Sequence, residues 1–140
     1  MKTYVVGTDG SETAARAARR AGELAAQTGA TIHVVCAYDR RGGATVGGVG
    51  TDSFDVSSLQ TAEQIADQQA ATFRAQGVSA TCAAIDEKPA EALLAEAERL
   101  EAELIVVGNR RMQGVSRVLG SVANHIAHNA PCDVLVVKTV

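Results

Sequence analysis

The run Leu104-Ile-Val-Val107, closed by Gly108, constrains this chain more than any other stretch. Four apolar residues without a polar break read as a strand buried on both faces, the habit of a parallel sheet. A polar loop carrying Arg110, Arg111 and Arg117 follows. Gly120-Ser121 then opens a segment of helical spacing through Val122, Ala123, Ile126 and Ala127. Strand, glycine-bearing loop and helix N-terminus together make an anion site. Backbone N–H groups point outward there, the helix dipole is positive, and glycine lets a phosphate come close. The loop is expected to hold the phosphates of a nucleotide.

The rest of the chain repeats this alternation. Apolar runs over residues 4–6, 32–37, 80–85 and 134–137 read as the other strands. Helical spacing covers residues 11–28, a stretch from Ser57 or Ser58 to Gly77, residues 89–100, and a last helix ending near Asn129. Ser11 suits an N-cap, Gly29 a C-terminal glycine and Pro89 a first helical turn. Connections this long exclude hairpins, so the pattern predicts an α/β fold, a parallel sheet with helices on both faces. Ligands of such sheets sit beyond the carboxyl ends of the strands, where the winding reverses. If the first and fourth strands meet there, Asp9 and the Gly108 loop face one crevice. Residues 40–50 hold five glycines without periodicity and read as a mobile loop or lid.

Composition narrows the function classes. With 140 residues, 46% hydrophobic and 21% charged, the chain is expected to be one soluble domain spanning 1–140. Aromatics make up only 3%, which argues against platforms for stacking nucleic-acid bases, and a net charge of −3 offers no general polyanion footprint. The opening residues look like neither a signal peptide nor a membrane span. Cys36, Cys82 and Cys132 are odd in number and flanked by apolar residues. Buried free thiols in a reducing cytoplasm fit them better than a disulfide framework.

Each candidate residue has a plainer reading beside the functional one. Asp9 either organises its turn or meets a ligand. Ser121 suits a helix cap as well as a phosphate contact, and the arginines suit a solvated loop. His125 and His128 have a metal-compatible spacing but no third ligand, so no metal site is assigned. His33, inside a strand, reads as structural. An apolar strand disfavours a thiolate at Cys36. No activated nucleophile is visible, and no catalytic residue is assigned.

The chain resembles the universal stress protein family over nearly its whole length. The resemblance is carried by Val5-Val-Gly-Thr-Asp9-Gly-Ser11, by Pro89-Ala-Glu-Ala-Leu-Leu with Ala102-Glu-Leu-Ile-Val-Val-Gly108, and by Gly120-Ser-Val through Ala130-Pro-Cys-Asp-Val-Leu-Val-Val137. It implies a single-domain, Rossmann-like three-layer sandwich, a five-stranded parallel sheet of order 3-2-1-4-5 with four helices. Nucleotide-binding members carry G-x2-G-x9-G-[S/T]. Gly108 matches the first glycine and Gly120-Ser121 the last pair. Arg111 stands where the second glycine belongs, the spacing is one residue short, and Gly114 does not restore the register. The resemblance implies ATP or another adenine nucleotide, with Mg2+ as companion ion. Asp9 would bond the ribose or adenine side, with Gly7 and Thr8 also among the nucleotide-binding residues, and the backbone around Val35 and Cys36 would read the adenine. Gly108, Asn109, Arg110, Gly120, Ser121 and Val122 would hold the phosphates, with Gly114 also among the nucleotide-binding residues. The arginine substitution supports altered nucleotide preference as readily as lost binding, since arginine adds charge-assisted bonds while filling space.

Two readings therefore stand: a cytoplasmic regulatory protein that binds an adenine nucleotide, or a dimer of the same type that acts through protein contacts without one. Enzymatic readings are weaker. Gly7 to Ser11 is only faintly similar to a pyrophosphatase phosphate loop. A phosphoacceptor built from Asp9, Asp86 and Lys138 would want paired acids after the first strand. The last strand, from Asp133 to Val140, is apolar at a sheet edge, and an exposed apolar edge needs covering. The resemblance implies that two copies pair there as a homodimer. Neither nucleic acid nor membrane is expected as a partner.

Overall fold

Val5 and Val6 point to opposite faces of one sheet, and different helices cover the two faces. The computed structural model describes residues 2–39, 58–109 and 119–139. In chain order these form β1 (Thr3–Gly7), α1 (Glu12–Thr28), β2 (Thr31–Tyr38), α2 (Leu59–Ala75), β3 (Ala80–Asp86), α3 (Pro89–Arg99), β4 (Leu104–Asn109), α4 (Ser121–Asn129) and β5 (Asp133–Lys138). Every strand pairing is parallel, in the order β3-β2-β1-β4-β5. The expected architecture holds. The glycine-rich stretch expected to be a lid lies outside the described residues, as does Ser57.

Strand alternation sorts the core. Tyr4, Val6, Ile32, Val34, Cys36 and Val106 meet α1 and α2, whereas Val5, Val35, Ile105 and Val107 meet α3 and α4. Central strands buried on both faces are why those apolar runs have no polar break. Alanine on α1 lets that helix lie close to the sheet. Ala17, Ala18 and Ala21 are fully buried, and a side chain at Gly22 would come within 3.1 Å of Phe73 Cε1. Phe73, the bulkiest fully buried side chain among the described residues, fills the space that alanine and glycine leave open.

Helix ends follow their local chemistry. Ser11 Oγ accepts from the Ala14 N–H, and Gly29 closes α1 in the left-handed conformation at φ 77°. Ser58 caps α2 by accepting from the Thr61 N–H. Proline opens α3, whose N-cap Lys88 supplies no side-chain bond. Of the cysteines, only Cys36 is fully buried. Cys82 and Cys132 lie at intermediate depth on the edge strand β3 and just before β5, which corrects the expectation of three buried thiols.

Candidate functional site

From β1 the chain winds outward through β2 and β3 on one side, and β4 and β5 lie on the other. Val6 pairs with Val106, so the carboxyl ends of β1 and β4 stand side by side where the winding reverses. The connections leave such a point in opposite directions and part to form a crevice.

Three consecutive side-chain bonds build the turn after β1. Thr8 Oγ1 accepts from the Gly10 N–H at 3.1 Å, Asp9 Oδ1 from the Ser11 N–H at 2.9 Å, and Ser11 Oγ from the Ala14 N–H at 3.1 Å. Gly10 takes φ 84°, a conformation costly for any residue with a Cβ. Asp9 therefore organises its turn, the plainer of its two readings, while staying only half-buried. Gly7 lies under α3: a Cβ there would sit 3.0 Å from Leu93 Cδ1.

The ladder between β1 and β2 ends where the Thr8 N–H donates to the Val35 carbonyl at 3.0 Å. Val35 and Cys36 are 2% and 0% exposed, so their side chains belong to the core. Burial, with the Asp9 carboxylate adding to it, pushes the Cys36 thiol up to about 12 and keeps it protonated.

At the end of β4 the two expected site residues have different tasks. A Cβ on Gly108 would lie 3.0 Å from Thr139 Cγ2, 3.3 Å from the Thr13 carbonyl oxygen and 3.4 Å from Ala17 Cβ. The glycine is thus where α1 crosses the sheet, a packing reason that motif spacing does not reveal. Asn109 is 4% exposed, and its Oδ1 accepts from the Gly120 N–H at 2.9 Å. Gly120 holds the N-cap position of α4, with Ser121 the first helical residue, so the cap expected of Ser121 falls one residue earlier. The first α4 bond in register is Asn124 N–H to Gly120 O. The N–H groups of Ser121, Val122 and Ala123 precede it and face outward from the helix end, where Ser121 and Val122 are exposed.

Gly7, Thr8, Asp9, Val35, Cys36, Gly108, Asn109, Gly120, Ser121 and Val122 thus gather at one end of the sheet. Arg110 and Gly114, like Arg111 and Arg117, lie outside the described residues. Asp86 and Lys138 end the two outermost strands, each two strand spacings (roughly 10 Å) from β1, so they do not join Asp9 in a phosphoacceptor. His125 Nε2 is 3.4 Å from Glu91, and His128 Nδ1 donates to the Asn124 carbonyl of its own helix at 2.9 Å. Among the described residues no three His, Cys, Asp or Glu side chains form a metal-holding group. One contact had no sequence signal: Arg16 Nη1 donates to the Thr139 carbonyl at 2.7 Å across 123 positions.

Comparison with known proteins agrees with this architecture. The family model described as the Universal stress protein family matches residues 1–138. Universal stress protein Rv1636 of Mycobacterium tuberculosis is 32% identical over 143 residues, taking in 99% of this chain and 97% of the relative. A crystal structure of a universal stress protein in complex with cAMP superposes with a TM-score of 0.76 at 30% identity, covering 99% of this chain and 98% of that one. The universal stress protein from Archaeoglobus fulgidus in complex with dAMP shares the fold at 23% identity and a TM-score of 0.74, covering 99% and 98%.

Proposed function

The chain belongs to the universal stress protein family, and from that premise we propose that it is a regulatory protein binding an adenine nucleotide between the Asp9 turn and the N-terminus of α4. The observation that carries this reading is the pairing of β1 with β4 at the point where the sheet order reverses. In this reading the half-buried Asp9 carboxylate and the exposed N-terminus of α4 line one crevice. A carboxylate suits ribose hydroxyls, which donate to it, and helix N–H groups suit phosphate oxygens, which accept. The cAMP complex of the 30% identical structure supports the ligand class.

In this reading Ser121 and Val122 offer backbone N–H groups to a phosphate, with the Ser121 hydroxyl as a further donor. Gly120 and Asn109 hold the helix end in place. Val35 and Cys36 form the floor under the base. Their side chains are buried and the Val35 carbonyl is already bonded to Thr8. Base recognition therefore passes to the backbone at Ala37, two residues on, which projects to the same side as Val35 beyond the end of the β1 ladder. Gly108 supports the site by letting α1 seat. Arg110, with Gly114 in the same loop, completes the phosphate side. Mg2+ would arrive with a di- or triphosphate rather than on a protein ligand group.

Calorimetric titration of the full chain with ATP, AMP and cAMP tests this. Saturable heat with at least one is the expected result, and adenine nucleotide carried through purification would appear as absorbance near 260 nm. No heat with any of the three would overturn the proposal in favour of a dimer acting through protein contacts alone.

A further inference from the structure

A second polar cluster lies away from the carboxyl ends of β1 and β4, on the α3 face of the sheet. His33 of β2 is 5% exposed and stands beside Thr81 of β3 in the ladder. Its Nδ1 is 2.6 Å from Thr81 Oγ1, and its Nε2 is 2.8 Å from Glu96 Oε1 on α3. Glu96, itself 7% exposed, is gripped by Arg99, whose Nε donates to Oε2 at 2.9 Å and whose Nη2 donates to Oε1 at 2.8 Å. Thr81, by contrast, is exposed on the outermost strand.

The polarity of this chain follows from the chemistry of its members. The Arg99 fork, with the His33 bond adding to it against burial, holds the Glu96 carboxyl below its ordinary range. An ionised carboxylate can only accept, so His33 Nε2 carries the proton and donates to Glu96. In neutral imidazole the other nitrogen is then an acceptor, and the Thr81 hydroxyl donates to Nδ1. A hydroxyl donating to an imidazole whose far nitrogen is fixed by a buried carboxylate is the arrangement of an activated alcohol nucleophile.

We infer that Thr81 is a site of covalent acylation, with His33 as its general base and Glu96 as the residue that positions His33, and that its substrates are small activated acyl donors such as aryl esters, acyl phosphates or thioesters. Thr81 Oγ attacks the carbonyl carbon while its proton passes to His33 Nδ1. The bond from that carbon to the leaving group breaks, the electron pair departs with the leaving group, and the His33 proton goes to the leaving group or to solvent. The products are a threonine ester and the free phenol, phosphate or thiol. Glu96 stabilises the imidazolium formed midway. On an outer strand the hydroxyl is open to small donors, and the expected outcome is one acyl group per chain rather than rapid turnover.

The full chain treated with p-nitrophenyl acetate tests this directly. Peptide mapping should find an acetyl group on Thr81 that hydroxylamine removes, as it removes esters but leaves lysine amides intact. Thr81→Val should abolish that label and Thr81→Ser retain it. Glu96→Gln should slow labelling of Thr81 by at least about tenfold, a part of the roughly 10²–10⁴-fold worth of the general base that Glu96 positions. It should also move the proton to Nδ1, because the amide can donate to Nε2, a change read in the imidazole nitrogen chemical shifts. A Thr81 labelled no faster than other exposed hydroxyls would overturn the inference, as would labelling that Glu96→Gln leaves unchanged in a folded protein. A wild-type His33 already protonated at Nδ1 would do so independently of any labelling.

Discussion

Asn109 Oδ1 accepts the Gly120 N–H at 2.9 Å, tying the last residue of β4 to the N-cap of α4 across 11 positions. The bond fixes where the outward N–H groups of α4 point, because the amide is 4% exposed and held by its surroundings. Asn109→Ala removes the acceptor and leaves a part-buried N–H unpaired. A loss of about 1–2 kcal/mol in urea unfolding is expected. Adenine nucleotide affinity should fall as well, measured by calorimetry on the variant while still folded. Unchanged stability would mean that the bond does not hold the helix end.

Gly108 supplies a prediction that separates packing from ligand contact. Gly108→Ala places a Cβ 3.3 Å from the Thr13 carbonyl oxygen and 3.0 Å from Thr139 Cγ2, so α1 and the end of the chain must give way. Overpacking of this kind costs typically about 1–3 kcal/mol. The thermal midpoint should fall without any nucleotide present. A variant as stable as wild type but unable to bind nucleotide would assign this glycine to the ligand instead.

Acid should weaken the protein partly through Glu96. Its carboxyl is held below the ordinary 4.5, first by the Arg99 hydrogen bonds, with burial opposing and His33 assisting. A carboxyl lowered in the folded state binds its proton more readily when unfolded. Its stabilisation is therefore complete above about pH 4.5 and is lost as pH falls through the folded value. Glu96→Gln should cost about 1–2 kcal/mol at neutral pH and flatten the acid limb of stability against pH, compared by urea unfolding at neutral pH and below 4.5. An acid limb as steep as that of wild type would assign the loss to other groups.

The fold was legible because its signals are local. Unbroken runs such as Leu104 to Val107 mark strands buried on both faces, and Ser11, Gly29, Ser58 and Pro89 punctuate the helices. The candidate site was legible only as a place. Sequence spacing pointed to Gly108 as a phosphate residue, and the structure adds a packing reason for glycine there, the crossing of α1, which depends on Thr13, Ala17 and Thr139 from distant parts of the chain. The cap expected of Ser121 moved to Gly120 because Asn109 reaches in from the preceding strand. His33 reads as structural from its strand alone, and its partners Thr81 and Glu96, which give it a chemical setting, stand 48 and 63 positions away, beyond any periodic pattern.

β5 is the outermost strand on its side of the sheet. On one side it pairs with β4, and it closes the sheet there. Val134, Leu135, Val136 and Val137 all remain only half-buried, on both faces of the strand. Among the described residues no strand pairs with its outer side, so an edge of four consecutive apolar residues presents unpaired backbone groups beside hydrophobic surface, a combination that favours pairing with a second copy. Homodimerisation through Asp133 to Val140 is accordingly expected, with wild type sedimenting as a dimer. Val136→Lys puts a charge into that seam and should sediment as a monomer while keeping its helical circular dichroism. A Val136→Lys protein that remains a dimer would locate the interface elsewhere, and a wild type that is monomeric at every concentration would remove the edge-pairing proposal altogether.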